Sequence, residues 1–586
     1  MNRTIAFRSR DQALYEHQRW HLPGPLQRHF AEALEDWRAG GKIRRLWQKD
    51  ASLWTGGDEE NWLGWLTIPE EQLGDLDGLL RCAAEIQTTG FEHILFLGIG
   101  GSSLAAKVLG LTFGKAPLQP QLVVLDSTDP AQILRVAGMV DFRKTLFIAA
   151  SKSGTALEPN ILREFFYEEA KKAVGPDLVG SRFIAITDPG SPLHQVAEEQ
   201  HFRHVFFSSP NTGSQFSALS NFGMVPASLA GLDVGTFLVR TLEMVHSWGP
   251  RGMLEENPGV MLGLLLGVAA NHGRDKITLV TSTGIATLGS WVEQLLAQST
   301  GKSGKGFIAV LAEELGWPSV YGRDRLFCYL REEDTADLGQ DEKMDAIEAS
   351  GQPVVRIDFC DSYDLGQEFF RWEFAAATAG AVLGINPFVE PDVEAIKFAT
   401  CKLMAQYEAN GALPEQKLLA QDGDLKLFAD DHNTAVLIRL AYGQKSVSSL
   451  LNAHLERLQP GDYFALLSFI DPEEEDKASF EAIRTRVRNR FGVATGIAFA
   501  PRYLYSASQA YRAGPNTGVF LQVTHDHSVD LPVPGHPYTF GVLAAQAQGD
   551  FNLLAERHRR ALRVHVGADV PRGLATLSEQ ITHALK

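Results

Sequence analysis

Five consecutive residues, Ser151-Lys152-Ser153-Gly154-Thr155, bring together three hydroxyls, one ammonium and a glycine. The apolar run Leu146-Phe147-Ile148-Ala149-Ala150 before them reads as a buried parallel strand, and Ala156 to Ala170 after them reads as a helix. A small loop at such a junction presents backbone N–H groups at a helix N-terminus. With hydroxyls and an ammonium added, it suits a phosphate. A serine-capped strand–helix turn uses the same residue types, so the loop alone leaves both readings open.

Other groupings carry less. Gly98-Ile99-Gly100-Gly101-Ser102-Ser103 follows another strand-like run. It lacks the full dinucleotide spacing, and only Asp126 is placed to serve as a ribose-binding acid. His525-Asp526-His527 puts two imidazoles on one side of an extended segment, a spacing some metal sites use, but no third ligand is evident and an exposed loop is expected. Asp58-Glu59-Glu60 reads as a solvated face. Trp47, Trp54, Trp62 and Trp65 read as packing residues.

Positioning these residues requires a regular frame. Strands are expected at His93–Gly98, Gln121–Leu125, Thr145–Ala150, Phe183–Thr187 and His204–Phe207, separated by helices. That alternation implies a doubly wound parallel sheet, with ligands bound beyond the strand C-termini. Gly249-Pro250-Arg251-Gly252 to Pro258-Gly259 reads as a boundary, after which the pattern recurs with Lys276–Val280, Phe307–Leu311, Leu326–Leu330 and Val354–Phe359. Residues 410–425 read as loop. A third, smaller α/β unit follows, with strands near 463–469, 493–499, 519–523 and 562–566 and helices that include 539–547 and 551–561. Leu26, Phe30, Leu34 and Trp37 share one helical face in an N-terminal extension. The expected parts are residues 1–50, 51–250, 251–410 and 411–586.

The chain has 586 residues, 45% of them hydrophobic and 21% charged, which are globular values. A net charge of −17 argues against nucleic acid as a partner. Four scattered cysteines without a Cys-x-x-Cys fit a reducing compartment. No apolar leader is evident at the N-terminus, and Val260–Ala270 is too short to span a bilayer. The expectation is a cytoplasmic protein without metal or cofactor.

Four motifs in this order are more specific than any one of them. Gly98–Ser102, Ser151–Thr155, Ser299-Thr300-Gly301-Lys302 and Gly384-Ile385-Asn386-Pro387-Phe388, with Pro391-Asp392-Val393-Glu394-Ala395-Ile396-Lys397, resemble the glucose-6-phosphate isomerase family. The nearest pattern is the isomerase half of bacterial transaldolase/glucose-6-phosphate isomerase fusions, which carry segments like Leu46–Trp65 and Gly514–Phe520. Only about forty residues precede the resemblance, too few for the transaldolase barrel. The resemblance implies two sugar-isomerase (SIS) domains, a homodimer, a role in glycolysis and gluconeogenesis, and interconversion of glucose 6-phosphate and fructose 6-phosphate through a cis-enediol. It also implies phosphate binding by Ser151, Lys152, Ser153 and Thr155, sugar contacts from Gly100, Gly101 and Ser102, and ring opening assisted by Lys397.

Three catalytic positions depart from the family pattern. Its base glutamate is Gln298 here, its arginine Gln215 and its histidine Tyr505. An amide matches glutamate in shape but takes no proton near neutral pH. A phenol titrating near ~10 is a poor shuttle there. Glu158, Glu293 and Glu394 are the carboxylates weighed as substitutes, with Glu293 expected to point away. Besides the family reaction, the sequence leaves a catalytically inactive sugar-phosphate sensor or partner subunit, and an isomerase acting on a different anionic sugar.

Overall fold

The computed structural model describes residues 14–247, 254–471, 474–527 and 529–585. The first part of the expected boundary, Gly249–Gly252, lies outside them, and its end, Pro258-Gly259, opens a helix. Three parallel sheets organise the chain. In the first, Gln121–Leu125, His93–Leu97, Thr145–Ala150, Phe183–Thr187 and His204–Phe207 lie side by side. In the second, the order is Ile308–Leu311, Lys276–Thr281, Arg325–Glu332 and Val354–Phe359. In the third it is Ala494–Phe499, Tyr463–Ser468, Gly518–Thr524 and Arg560–His565. Each parallel core winds 2-1-3-4 in chain order. Crossovers from such a sheet's first and third strands leave on opposite faces, which opens a crevice at their carboxyl ends. The fold is the α/β, doubly wound class expected.

Several elements differ from the sequence reading. The extension is mostly helical, with Leu26, Phe30 and Trp37 buried on helix Gly24–Ala39. However, Gln18–His21 is a strand, antiparallel on the edge of the second sheet against Val354–Phe359. The expected loop at 410–425 holds a hairpin, Leu418–Asp422 and Leu425–Phe428, that extends the third sheet. Two expected helices near 539–561 are one, Val542–Glu556. Gly549 does not break it. A Cβ there would sit at ordinary contact distance, 3.5 Å from Leu403 and 3.6 Å from Ile396, so the glycine faces helix Pro391–Asn410 instead of a turn. Within the 58–60 run Asp58 and Glu60 are exposed as expected, but Glu59 is buried, accepting backbone N–H groups of Thr55 (3.0 Å) and Gly57 (2.7 Å) as a structural anchor.

The apolar segment near 260–270 forms helix Pro258–Asn271, buried on nearly every side. It packs closely on helix Leu365–Leu383. A Cβ at Gly263 would stand 2.5 Å from Thr378 Cβ, and one at Gly267 2.7 Å from Val382 Cβ. These glycines let two backbones meet, and the helix is a core helix. Among the described residues no helix is long and apolar enough to cross a membrane.

A buried polar cluster holds the third sheet to its helices. Arg512 pairs with Asp550 at 2.5 Å, and Asp550 also accepts from Tyr503 Oη (2.5 Å) and Gln522 Nε2 (3.1 Å). Asp550→Ala would strand a buried guanidinium, so the variant is expected to lose about 3–5 kcal/mol of stability in urea unfolding. A loss below ~1 kcal/mol would contradict this account.

Buried His454 donates to the Phe520 carbonyl (3.0 Å), and burial lowers its pKa to about 3. Below pH ~6.5 the unfolded chain binds a proton there that the native chain does not. Stability therefore falls on acidification from about 6.5 towards 3. The acid limb of a pH–stability curve should be shallower by up to one proton in His454→Gln, and identical limbs would refute the assignment.

Candidate functional site

A cavity of about 450 Å³ lies at the crevice of the first sheet. Two helix N-termini point towards it. Helix Gly101–Phe113 follows strand His93–Leu97, and helix Leu157–Val174 follows Thr145–Ala150. Neither carries a side-chain cap. The N–H groups of their first turns, except at Pro159 of the second helix, which has none, and the positive ends of their dipoles are thus available to an anion.

The turn at Gly100-Gly101 is glycine by necessity. Gly100 has φ +65°, and a Cβ there would lie 2.9 Å from Tyr505 Cβ. A Cβ at Gly101 would lie 2.2 Å from the Ser214 carbonyl. The segments carrying Gln215 and Tyr505 are in this way pressed onto the first helix N-terminus.

The cavity wall brings together Gly100, Gly101, Ser102, Ser151, Lys152, Ser153, Gln215, Gln298, Lys397 and Tyr505. Of the sequence-based candidates, Thr155 is absent from this wall. Its hydroxyl instead pairs with Ser153 Oγ at 2.7 Å. Lys152 is held by both oxygens of Asp188 (2.9 and 3.1 Å), which also lines the cavity. Lys397 pairs with Glu394 (2.6 Å) and lies 6.0 Å from the centre of the Tyr505 ring.

The three departing positions are locked by neutral chemistry. Gln298 Nε2 donates to the Tyr505 carbonyl (3.1 Å), as does Gln294 Nε2 (3.2 Å). A glutamate at 298 would lose that bond and face a carbonyl dipole. Gln215 Nε2 donates to the Pro387 carbonyl (3.3 Å). The amide oxygens of Gln215 and Gln298 are buried without a hydrogen-bond partner among the described residues. Tyr505 Oη donates to both oxygens of Glu158 (2.8 and 2.7 Å). Burial first, and the adjacent Glu158 carboxylate next, push the phenol well above its ordinary range. Burial likewise raises Glu158, against the hydrogen bonds from Tyr505 and Gln546. The pair is a fixed buttress behind the cavity.

Glu293 lines a different cavity beside Arg484 and Arg502, and burial raises its pKa to about 7. Asp126 is neutralised by Lys107 at 3.0 and 3.1 Å, so it offers no acid to a ribose.

Among the wall residues that sequence reasoning missed, besides Asp188, two stand out. Trp62, read as packing, is half-buried at the cavity, its indole N–H bonded to Asp58 (3.0 Å). Glu390 stands in the wall just before helix Pro391–Asn410. Its Oε1 accepts from Ser214 Oγ (3.1 Å), while Oε2 has no partner among the described residues. Burial raises its pKa above the ordinary glutamate value, opposed chiefly by Lys397. The signal was available, since Glu390 lies between the quoted motifs 384–388 and 391–397. Only the fold shows it in the same cavity wall as Gln298.

Residues 83–309 match the family model for phosphoglucose isomerase. The chain carries a phosphoglucose isomerase family domain. This stretch holds the turn at Gly100, the Ser151 loop, Gln215 and Gln298, whereas Glu390, Lys397 and Tyr505 reach the same cavity from beyond it. Glucose-6-phosphate isomerase of Enterococcus faecalis is 25% identical over 392 residues, covering 58% of this chain and 86% of that protein. A probable glucose-6-phosphate isomerase of Haloquadratum walsbyi is 27% identical over 335 residues, 51% of this chain and 76% of its own length. Among solved structures, a hypothetical protein of Thermus thermophilus matches with TM-score 0.57 and 26% identity over 66% of this chain and all of its own. A glucose-6-phosphate isomerase of Chlamydia trachomatis shares the fold, with TM-score 0.54 and 17% identity over 64% and 86%. A fused transaldolase is not part of what these likenesses carry.

Proposed function

We propose that this cavity binds a phosphorylated sugar, with the phosphate on Ser151, Lys152, Ser153 and the N-terminus of helix Leu157–Val174. The observation that carries this reading is the convergence of two uncapped helix N-termini with the Ser/Lys loop at one crevice. Gln215 and Gln298 form part of the wall around the sugar, and Trp62 supplies an apolar face. Thermal unfolding with glucose 6-phosphate, fructose 6-phosphate and free glucose tests it. The esters should stabilise the protein and free glucose should not. At ~100-fold excess over Kd the gain is about 2.7 kcal/mol. No shift with any hexose or pentose phosphate removes the reading.

A second reading, turnover of the bound sugar, is favoured by Glu390. Aldose–ketose isomerisation moves one proton between C2 and C1 and needs a carboxylate beside both carbons. Gln298 cannot provide one. Glu390 has one oxygen without a hydrogen-bond partner among the described residues, a raised pKa and Lys397 nearby, so in this reading it takes the place of the base once the buried oxygen turns to the sugar. If turnover is absent, the cavity serves a sensor or partner subunit. A homodimer belongs to the same reading, and Phe398, 74% exposed beside Lys397, offers it an apolar contact.

A further inference from the structure

The two imidazoles of the His525-Asp526-His527 segment acquire a third neighbour in the fold. Strand Gly518–Thr524 of the third sheet ends one residue before His525. Asp129 follows strand Gln121–Leu125 of the first sheet and caps helix Pro130–Met139. Both segments thus lie just past the carboxyl ends of their strands. One ligand atom from each of Asp129, His525 and His527 lies within 4.8 Å of the others.

The division of labour within each residue is specific. Asp129 is 2% exposed; its Oδ1 is used by the N–H groups of Ala131 (2.9 Å) and Gln132 (3.1 Å), which leaves Oδ2 facing His527 Nδ1 at 3.5 Å. Two ligands of a tetrahedral ion, each bonded at ~2.0–2.1 Å, stand ~3.4 Å apart. Both ring nitrogens of His525 are buried with no hydrogen-bond partner among the described residues. Its ring meets that of His527 edge-on, centroids 4.5 Å apart. Asp526 points the other way, to His565 at 3.3 Å, with its N–H on the Gly567 carbonyl. The strand's alternation therefore delivers both imidazoles to the Asp129 side.

We infer that Asp129, His525 and His527 bind one divalent transition cation of the zinc class, with a fourth position open to water. Two imidazoles and a carboxylate are the borderline donor set that such ions take, and hard ions such as magnesium do not favour it. The ion would clamp the first sheet to the third. The clamped loop also carries Thr128, whose hydroxyl reaches Gln546 (3.5 Å), the residue that donates to Glu158 behind Tyr505. This site is independent of the sugar-phosphate cavity.

Untagged full-length protein is stripped with chelator and titrated with cobalt(II), and zinc is then added. A visible d–d band that saturates at one cobalt per chain and is displaced by zinc is expected in the wild type. His525→Ala/His527→Ala should show no band and no zinc-dependent rise in melting temperature. Failure of the wild type to take up either ion overturns the site and leaves His527 and Asp129 as an ion pair. Equal uptake by wild type and double variant overturns it as well. The wild-type titration decides even if the variant folds poorly.

Discussion

Ser151→Ala/Lys152→Ala is expected to weaken glucose 6-phosphate binding by about 10²–10⁴-fold while leaving the chain folded. A hydrogen bond to a charged group contributes about 1.5–3 kcal/mol, and two such contacts sum to ~3–6 kcal/mol, with ~1.4 kcal/mol for each tenfold change in Kd. Lys152 shares its ammonium with Asp188, so truncation also leaves a carboxylate facing the phosphate. That repulsion places the effect at the upper end. Isothermal titration of both proteins measures it, with unfolding of the ligand-free variant as the control. A Kd unchanged within threefold would show that the phosphate does not lie on this loop.

The second large effect concerns Glu390. Glu390→Gln keeps the shape and the bond from Ser214, yet removes the carboxylate. Loss of a general base costs about 10²–10⁴-fold in rate. In a coupled assay with fructose 6-phosphate, kcat is expected to fall by that factor with KM little changed, because the phosphate contacts remain. The pH profile carries an independent sign. Glu390 must be ionised to accept a proton, and burial raises its pKa, so activity should be lost as pH falls through a value above the ordinary ~4.3 of glutamate. Equal kcat in both proteins would assign the proton transfer elsewhere. A wild-type rate no better than buffer would leave the cavity as a binding site alone.

These two experiments separate holding the sugar from converting it, which the sequence already divided. The Ser151 loop was legible because a strand–loop–helix junction is a local object. Its N–H groups, hydroxyls and helix start are contiguous, and the flanking apolar runs declare the strand and helix that present them. The 2-1-3-4 winding was not legible, but each strand was, since a buried parallel strand is a short unbroken apolar run. The hairpin at Leu418–Phe428 and the single helix Val542–Glu556 escaped for the opposite reason. In both, a tertiary neighbour overrode a local signal: the edge of the third sheet for the hairpin, and helix Pro391–Asn410 packing on Gly549 for the helix.

By itself the sequence determined that the chain builds wound α/β sheets, carries a Ser/Lys/Gly loop at a strand–helix junction, and lacks glutamate, arginine and histidine at Gln298, Gln215 and Tyr505. Tertiary structure decided what those replacements do. Tyr505 is a buttress because Glu158, 347 positions away, accepts its hydroxyl. Glu390 matters because the crevice of the first sheet brings it into one cavity wall with Gln298. Asp129 joins His525 and His527 because two sheets meet at their strand ends. Periodicity reports only which neighbours within an element share a face, whereas a carboxylate's role depends on what stands within a few ångströms of it. That set of neighbours is chosen by packing among distant segments, and no local pattern encodes it.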